Sequence, residues 1–132
     1  MRKLFIAALI LISTFGLALA QQEATTQQSL EEITRRARAP RQPDGLGQAV
    51  VIVNDKDGNP VKNAYIKLES VWGGDNFCES WGSTNSLGAI ALNPIHMGKL
   101  KLMVKAKGYE TQKIEVDANS LSEPVRVTLA RK

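Results

Sequence analysis

The sequence predicts an all-β fold class, a seven-stranded antiparallel β-sandwich over residues 47–132. Three observations predict it. From residue 47 on, apolar and polar residues alternate in short runs, as they do along a strand with one buried face. Turn residues interrupt these runs at spacings of about 8–15 residues, and no stretch of the domain has helical periodicity. Regular short strands between turn signals are typical of a sandwich or barrel.

The predicted strands cover residues 49–53, 64–68, 79–84, 89–92, 99–106, 113–116 and 125–129. The first is nearly continuous in β-branched residues, so we expect it to be covered on both faces or to lie at a sandwich edge. The fifth has the clearest alternation, which places Leu100, Leu102 and Val104 in the core. Four lysines occupy outward positions, Lys67, Lys101, Lys105 and Lys113. We interpret them as a solvated face rather than as a polyanion site.

Three turn signals separate these strands. Asp57-Gly58-Asn59-Pro60 follows the first strand, with residues that accept positive φ and a proline that fixes φ. Asn85–Gly88 precedes the short fourth strand, and Lys107-Gly108 ends the long fifth one. Tyr109 is expected to pack over the end of the sandwich after that last turn.

The N-terminal segment is typical of a secretory signal peptide. Arg2 and Lys3 precede the apolar residues 4–20, and small residues stand ahead of Gln21. Cleavage is expected after Ala20, which predicts a periplasmic or secreted protein. The alternative is a retained anchor, although the apolar stretch is a little short for the roughly 20 residues of a membrane helix. Only in that case is the membrane an expected partner.

Residues 21–46 are predicted to be a flexible linker, because they are rich in Gln, Thr, Arg and Pro and contain no aromatic residue. Two of the 17 basic residues lie in the predicted signal peptide. The mature chain then has 15 basic and 13 acidic residues, a net charge of +2. This weak imbalance does not indicate nucleic acid as a partner.

Catalytic and metal chemistry is difficult to assemble from these residues. Cys78 is the one cysteine, and it is expected to be buried, a free thiol or a bridge between two chains. His96 is the one histidine, and it falls on a different predicted loop from Cys78. Asp55 and Asp57 imitate the start of a calcium loop, but the later glycine and glutamate of such a loop are missing. We therefore expect no enzyme activity, metal or cofactor.

Several landmarks follow one another along the domain. They are the strand Val51–Asp55, the turn Asp57–Val61, the turn Ser83–Gly88, Gly98 before the long strand, and Gly108-Tyr109 after it. Their order resembles the carboxypeptidase regulatory-like domain, a transthyretin-like (prealbumin-like) sandwich, over residues 47–130. The resemblance implies an accessory module of exported proteins with no catalytic residues. It rests on turns, so it is specific for a fold rather than for a function.

The chain departs from that family in the predicted loop 71–80, which is unusually rich in aromatic residues. The candidate ligand-binding residues are Trp72, Trp81, Phe77, Tyr65, Asp75 and Asn76. Aromatic faces beside amide and carboxylate groups stack on sugar rings or receive apolar side chains of a protein. The alternative is structural, with at least one tryptophan filling the end of the sandwich.

These observations predict a non-catalytic structural or protein-interaction module whose partner is another exported protein or a cell-envelope component. The alternative hypothesis is a carbohydrate-binding module that holds a polysaccharide with the aromatic loop. Open indole faces would distinguish the second hypothesis from the first, because stacking on a sugar requires them.

Overall fold

The structure is a computed structural model that describes residues 30–132. The predicted signal peptide, residues 1–20, and the first part of the predicted linker lie outside the described residues. Residues 30–35 are helical, and one compact unit spans Glu32–Lys132.

In the described part of the chain, nine strands and one short 3-10 helix follow the helical residues 30–35. The strands are β1 (Leu46–Gly47), β2 (Val50–Asp55), β3 (Tyr65–Trp72), β4 (Asn76–Ser83), β5 (Ala89–Ala91), β6 (Ile95–His96), β7 (Lys99–Lys105), β8 (Gln112–Val116) and β9 (Val125–Leu129). The 3-10 helix, Ala118–Ser120, lies between β8 and β9, and the side chain of Asp117 caps it by accepting a hydrogen bond from the Asn119 N–H.

The strands form three sheets, ordered β4-β3-β7-β8, β5-β2-β9 and β1-β6. The predicted all-β class is confirmed. The number of strands differs from the predicted seven, because β1 and β6 have only two residues each and give no alternation to detect. The pairing also differs from the predicted antiparallel arrangement, because β2 and β9 run parallel.

One hydrophobic core joins the four-stranded and three-stranded sheets. Leu68, Leu102 and Val104 enter it from the first sheet, and Val53 and Leu129 from the second. On β3, β7 and β9 these side chains alternate with outward residues, as predicted. Strand β2 is covered on both faces, since residues 49–53 are all buried.

The predicted turns are confirmed. Gly88 has a φ of 73°, and the Asn85 side chain closes this turn by accepting hydrogen bonds from the Leu87 and Ala89 N–H groups. In the first turn, Asp55 Oδ1 accepts hydrogen bonds from the N–H groups of the second and fourth residues that follow it. The Asp55 carboxylate therefore serves the turn as an Asx motif.

The predicted loop 71–80 is instead a β-hairpin, and this is the main correction to the sequence-based fold. Strands β3 and β4 pair over eight residues each, from Tyr65↔Ser83 to Trp72↔Asn76. Gly73 and Gly74 form the turn with φ values of 58° and 88°, a conformation in which glycine has no Cβ penalty. Because glycine permits so tight a reversal, the aromatic residues of this segment lie on strands.

The end of the predicted linker is tied to the domain. The backbone of Arg38 exchanges two hydrogen bonds with Gln48, at 2.9 and 2.8 Å. Further on, β1 pairs with β6, and the Gln48 side chain donates to the Leu92 carbonyl. Residues 38–46 are therefore held by backbone pairing that their composition does not reveal.

Candidate binding surface

The most exposed large apolar side chains on a sheet of the described chain lie on the hairpin. Phe77 and Trp81 have 58% and 60% of their surface exposed, and Val71 and Tyr65 are also exposed. All four point away from the core, because the residues between them on β3 and β4 are the ones that turn inward. We call the side of the four-stranded sheet that points away from the core the outer face.

Cross-strand pairing arranges the outer face in rows. One row holds Phe77, Val71 and Lys99, the next holds Glu79, Glu69, Lys101 and Glu115, and a third holds Trp81, Lys67, Met103 and Lys113. The charged middle row is therefore flanked by two rows that mix apolar side chains with lysines. The aromatic residues concentrate on β4, at the edge of the sheet, whereas most of the lysines lie on β7 and β8.

An ion pair organises the centre of the outer face. Lys67 Nζ lies 2.9 Å from Glu69 Oε1 and 3.9 Å from Glu79 Oε2. The hydrogen bond from Lys67 and its positive charge hold the pKa of Glu69 below its ordinary value, and the same contact raises the pKa of Lys67. Glu69 and Glu79 are direct cross-strand partners, so the ammonium of Lys67 offsets the repulsion between two like charges.

The structure does not bring Trp72 and Trp81 together. Trp72 lies on the opposite, inner side of the hairpin, where its ring stacks on His96 with centroids 4.1 Å apart and planes inclined by 18°. One face of the Trp72 indole is therefore occupied. Its Nε1 is buried without a hydrogen-bond partner in the described chain. Among the predicted site residues, Tyr65, Phe77 and Trp81 share the outer face.

The two remaining candidates lie at the tip of the hairpin. Asp75 belongs to the turn, and Asn76 is the first residue of β4; both are exposed. Gly73, in the same turn, donates its N–H to Asp44 Oδ2 at 3.3 Å. This contact ties the hairpin tip to the segment ahead of β1.

Cys78 and His96 are neighbours in the fold, although the sequence assigned them to different loops. The thiol of Cys78 donates to the backbone carbonyl of His96 at 3.4 Å, and Cys78 is half-buried and free. His96 Nδ1 lies 2.8 Å from the carbonyl oxygen of Asp44. The thiol thus contacts the His96 backbone, while the His96 ring contacts Trp72 and Asp44.

A cleft of about 710 Å³ opens beside the hairpin turn. Its walls include Pro40–Asp44, Val71–Gly74, Met97–Lys99 and Val116–Asn119. No local sequence pattern indicates this cleft, because its walls come from segments that are far apart in the sequence. Sequence reasoning also missed three residues of the outer face, Val71, Glu79 and Met103. Two-residue alternation, continued through the hairpin, would have placed Val71 and Glu79 on this face.

Within residues 30–132, no group of three or more His, Cys, Asp and Glu side chains is placed to hold a metal ion. None of the helices in the described part of the chain is long and apolar enough to cross a membrane.

No protein-family model matches the chain, and no curated protein matches it in sequence.

Proposed function

We propose that this protein is an exported, non-catalytic module that binds another protein through the outer face of its four-stranded sheet. The observation that carries the proposal is the exposure of Phe77 and Trp81 on the same side of β4. Soluble proteins rarely leave clustered aromatic side chains open to water unless a partner covers them. Aromatic anchors are typical of the energetically important centre of a protein interface, and charged groups are typical of its rim.

The composition of the surface favours a protein over a polysaccharide. Two other apolar residues of the outer face, the branched Val71 and the flexible Met103, suit packing against protein side chains. Neither has a flat ring on which a sugar could stack. Of the two tryptophans, Trp72 has one ring face against His96, which leaves Trp81 as the open indole. Phe77 and Trp81 are four residues apart on one strand, so their Cα atoms are separated by about 13 Å.

The polysaccharide hypothesis keeps one supporting observation, the open rings of Phe77 and Trp81. Affinity electrophoresis of the protein against cell-wall and plant polysaccharides tests it. Retardation that disappears in Trp81→Ala, with the fold intact, would replace the protein-binding proposal with a sugar-binding one.

The family assignment also belongs to this proposal. We propose a carboxypeptidase regulatory-like fold of transthyretin-like type, supported by the turns at Asp57–Pro60, Asn85–Gly88 and Lys107-Gly108. The third turn is followed by Tyr109, which packs partly buried against the core. The additional strands β1 and β6 and the long β3–β4 hairpin are features that this chain would add to that fold.

Export is proposed from the sequence of residues 1–20, with cleavage after Ala20. The mass of the N-terminal peptide of the purified protein tests it. A chain that begins at Gln21 supports export with cleavage after Ala20, and a chain that keeps Met1 contradicts this cleavage.

Site-specific photo-crosslinking in cells tests the binding surface. A benzophenone amino acid replaces Trp81 in one variant and Arg126 in the other, because Arg126 is exposed on the three-stranded sheet. We expect a protein adduct from position 81 that is absent at position 126 and is lost when Phe77→Ser is added. Equal adducts from both positions, or none from position 81, would contradict the proposal.

A further inference from the structure

Strand β4 is the longer edge of the four-stranded sheet. It has eight residues, its one charged side chain is Glu79, and it contains no Lys, Arg or Pro. The opposite edge strand, β8, has five residues and carries Lys113. In the three-stranded sheet, the edge strand β5 has three residues, and the edge strand β9 carries Arg126.

The free backbone groups of β4 belong to its outward residues. The Thr84 N–H donates to the Ala64 carbonyl at 3.0 Å. With the register Tyr65↔Ser83, this bond places Ala64 and Thr84 at a hydrogen-bonding position of the ladder. Such pairs alternate with pairs whose N–H and C=O groups point away from each other. The backbone groups of Phe77, Glu79 and Trp81 are therefore directed to the open edge.

We propose that β4 accepts an extended segment of the partner protein as a fifth strand of this sheet. Apolar residues of that segment lie opposite Phe77 and Trp81, and a basic residue lies opposite Glu79. The inference rests on the proposed function and specifies its partner as a strand with the alternating pattern apolar-x-basic-x-apolar.

Charge determines the central residue of this pattern. The carboxylates of Glu69 and Glu79 share the single ammonium of Lys67, which is 2.9 Å from the first and 3.9 Å from the second. Glu79 is the member of the row nearest to the open edge and has the longer contact. A Lys or Arg opposite Glu79 gives this carboxylate a cross-strand partner of opposite charge on its open side, and opposite charges on neighbouring strands attract.

The same charge disfavours a second copy of this chain as the added strand. In antiparallel pairing of two β4 strands, the register that places Phe77 opposite Trp81 also places Glu79 opposite its own copy. Like charges directly opposite each other destabilise a strand pair. A heterologous strand avoids this conflict.

The inner side of the edge contributes less to recognition. Cys78 and Ser80 point inward, where Cys78 contacts His96 of β6 and Ser80 is buried. Selection of the partner therefore depends on outward side chains, while the backbone hydrogen bonds supply affinity, as in other cases of strand addition.

Amide hydrogen exchange of the full protein tests this inference, with the peptide Thr-Phe-Thr-Arg-Thr-Phe-Thr as the probe. We expect exchange at Phe77, Glu79 and Trp81 to slow at least about tenfold when the peptide binds. The amides of Cys78 and Ser80 already bond to β3, so their exchange should not change. A control peptide with Glu in place of Arg should have a smaller effect at the same concentration.

Two substitutions of Glu79 distinguish the contribution of its backbone N–H from the contribution of its charge. Glu79→Pro removes an outward N–H that β3 does not use, so the hairpin tolerates it as an edge position. Glu79→Gln keeps this N–H and removes the charge. We expect that the peptide no longer protects the β4 amides from exchange in Glu79→Pro, and that its protection of them is several-fold weaker in Glu79→Gln.

The outcomes distinguish this inference from the proposed function. A peptide that shifts the Trp81 indole signal without the alternating amide protection would overturn strand addition and leave side-chain binding on the outer face intact. No response of β4 to millimolar peptide would also overturn strand addition. An adduct at position 81 in cells would then still support the proposed function.

Discussion

The indole of Trp72 stacks on the imidazole of His96, with 4.1 Å between ring centroids. This contact joins the inner side of the β3–β4 hairpin to the short strand β6. His96 is in turn held by Asp44, whose carbonyl oxygen lies 2.8 Å from Nδ1. The hairpin that carries Phe77 and Trp81 on its outer side is thus supported from its inner side, and a rigid surface loses less entropy when it binds.

Replacing His96 by alanine should loosen the hairpin. We expect His96→Ala to lower the free energy of unfolding by about 1–2 kcal/mol, because it removes a stacked ring pair and its buried area. His96→Phe keeps a ring against Trp72 and should therefore lose less stability than His96→Ala. Urea unfolding followed by tryptophan fluorescence measures both, and equal losses would contradict a role for stacking.

Gly98 lies at a close approach between backbones that leaves no room for a side chain. A Cβ at this position would meet the Val71 carbonyl oxygen and the Cα of Trp72. We expect Gly98→Ala to cost about 1–3 kcal/mol of stability, since overpacking forces the backbone to move. Gly108→Ala is the matched control, because its Cβ would enter open space and only its φ of 85° opposes alanine. If Gly98→Ala were as thermally stable as the wild type, the backbones at this position would have room for a Cβ, which would contradict the prediction.

The alternation on β7 predicts opposite consequences for adjacent residues. Leu102 is buried between the two sheets, so Leu102→Ala should lower the free energy of unfolding by about 2–5 kcal/mol. Lys101 is exposed on the outer face, and Lys101→Ala should change stability by no more than about 0.5 kcal/mol. Guanidinium unfolding of both variants checks the placement, and a large loss from Lys101→Ala would contradict it.

The Lys67–Glu69 contact should give stability a specific dependence on pH. The pKa of Glu69 is lowered in the folded state by its hydrogen bond with Lys67, so the contact stabilises the protein above the unfolded-state pKa. This stabilisation is lost as the pH falls through the folded-state pKa. Glu69→Gln should therefore reduce the loss of stability in acid, by a modest amount because the pair is exposed.

A double-mutant cycle provides the control for that pair. In a Lys67→Met background, Glu69→Gln should have a much smaller effect on the pH dependence, because the main cause of the lowered pKa of Glu69 is gone and only the weaker charges of Lys101 and Lys113 remain. If Glu69→Gln changed the pH dependence of stability just as much in that background, a group other than Lys67 would be responsible for the lowered pKa of Glu69.

Local patterns predicted the parts of the fold that depend on local physics. The strand 99–106 was correct because Leu100, Leu102 and Val104 alternate with outward residues, and the turn at Asn85–Gly88 was correct because asparagine and glycine favour it. The hairpin was missed because its glycines and aromatic residues interrupt the apolar alternation of β3 and β4. Its real signal was Gly73-Gly74 between two strand-forming segments.

The candidate site was predicted in composition but not in arrangement. Phe77, Trp81 and Tyr65 were named from the sequence, and the structure places them on one face of the sheet. Trp72 was grouped with Trp81 because residues 71–80 are predicted as a loop, in which two-residue alternation does not apply. On β3, the alternation that buries Ile66 and Leu68 also directs Trp72 inward. Only its stacking partner His96 is a long-range contact that no local pattern contains.

We propose that the outer face of the four-stranded sheet binds a protein partner through Phe77 and Trp81. The most direct test is the Kd of the partner captured at position 81, measured for the wild type, Trp81→Ser and Thr128→Ser. Thr128 is exposed on the three-stranded sheet and serves as the control. We predict at least about tenfold weaker binding for Trp81→Ser and an unchanged Kd for Thr128→Ser. A folded Trp81→Ser variant that binds as tightly as the wild type would contradict the claim.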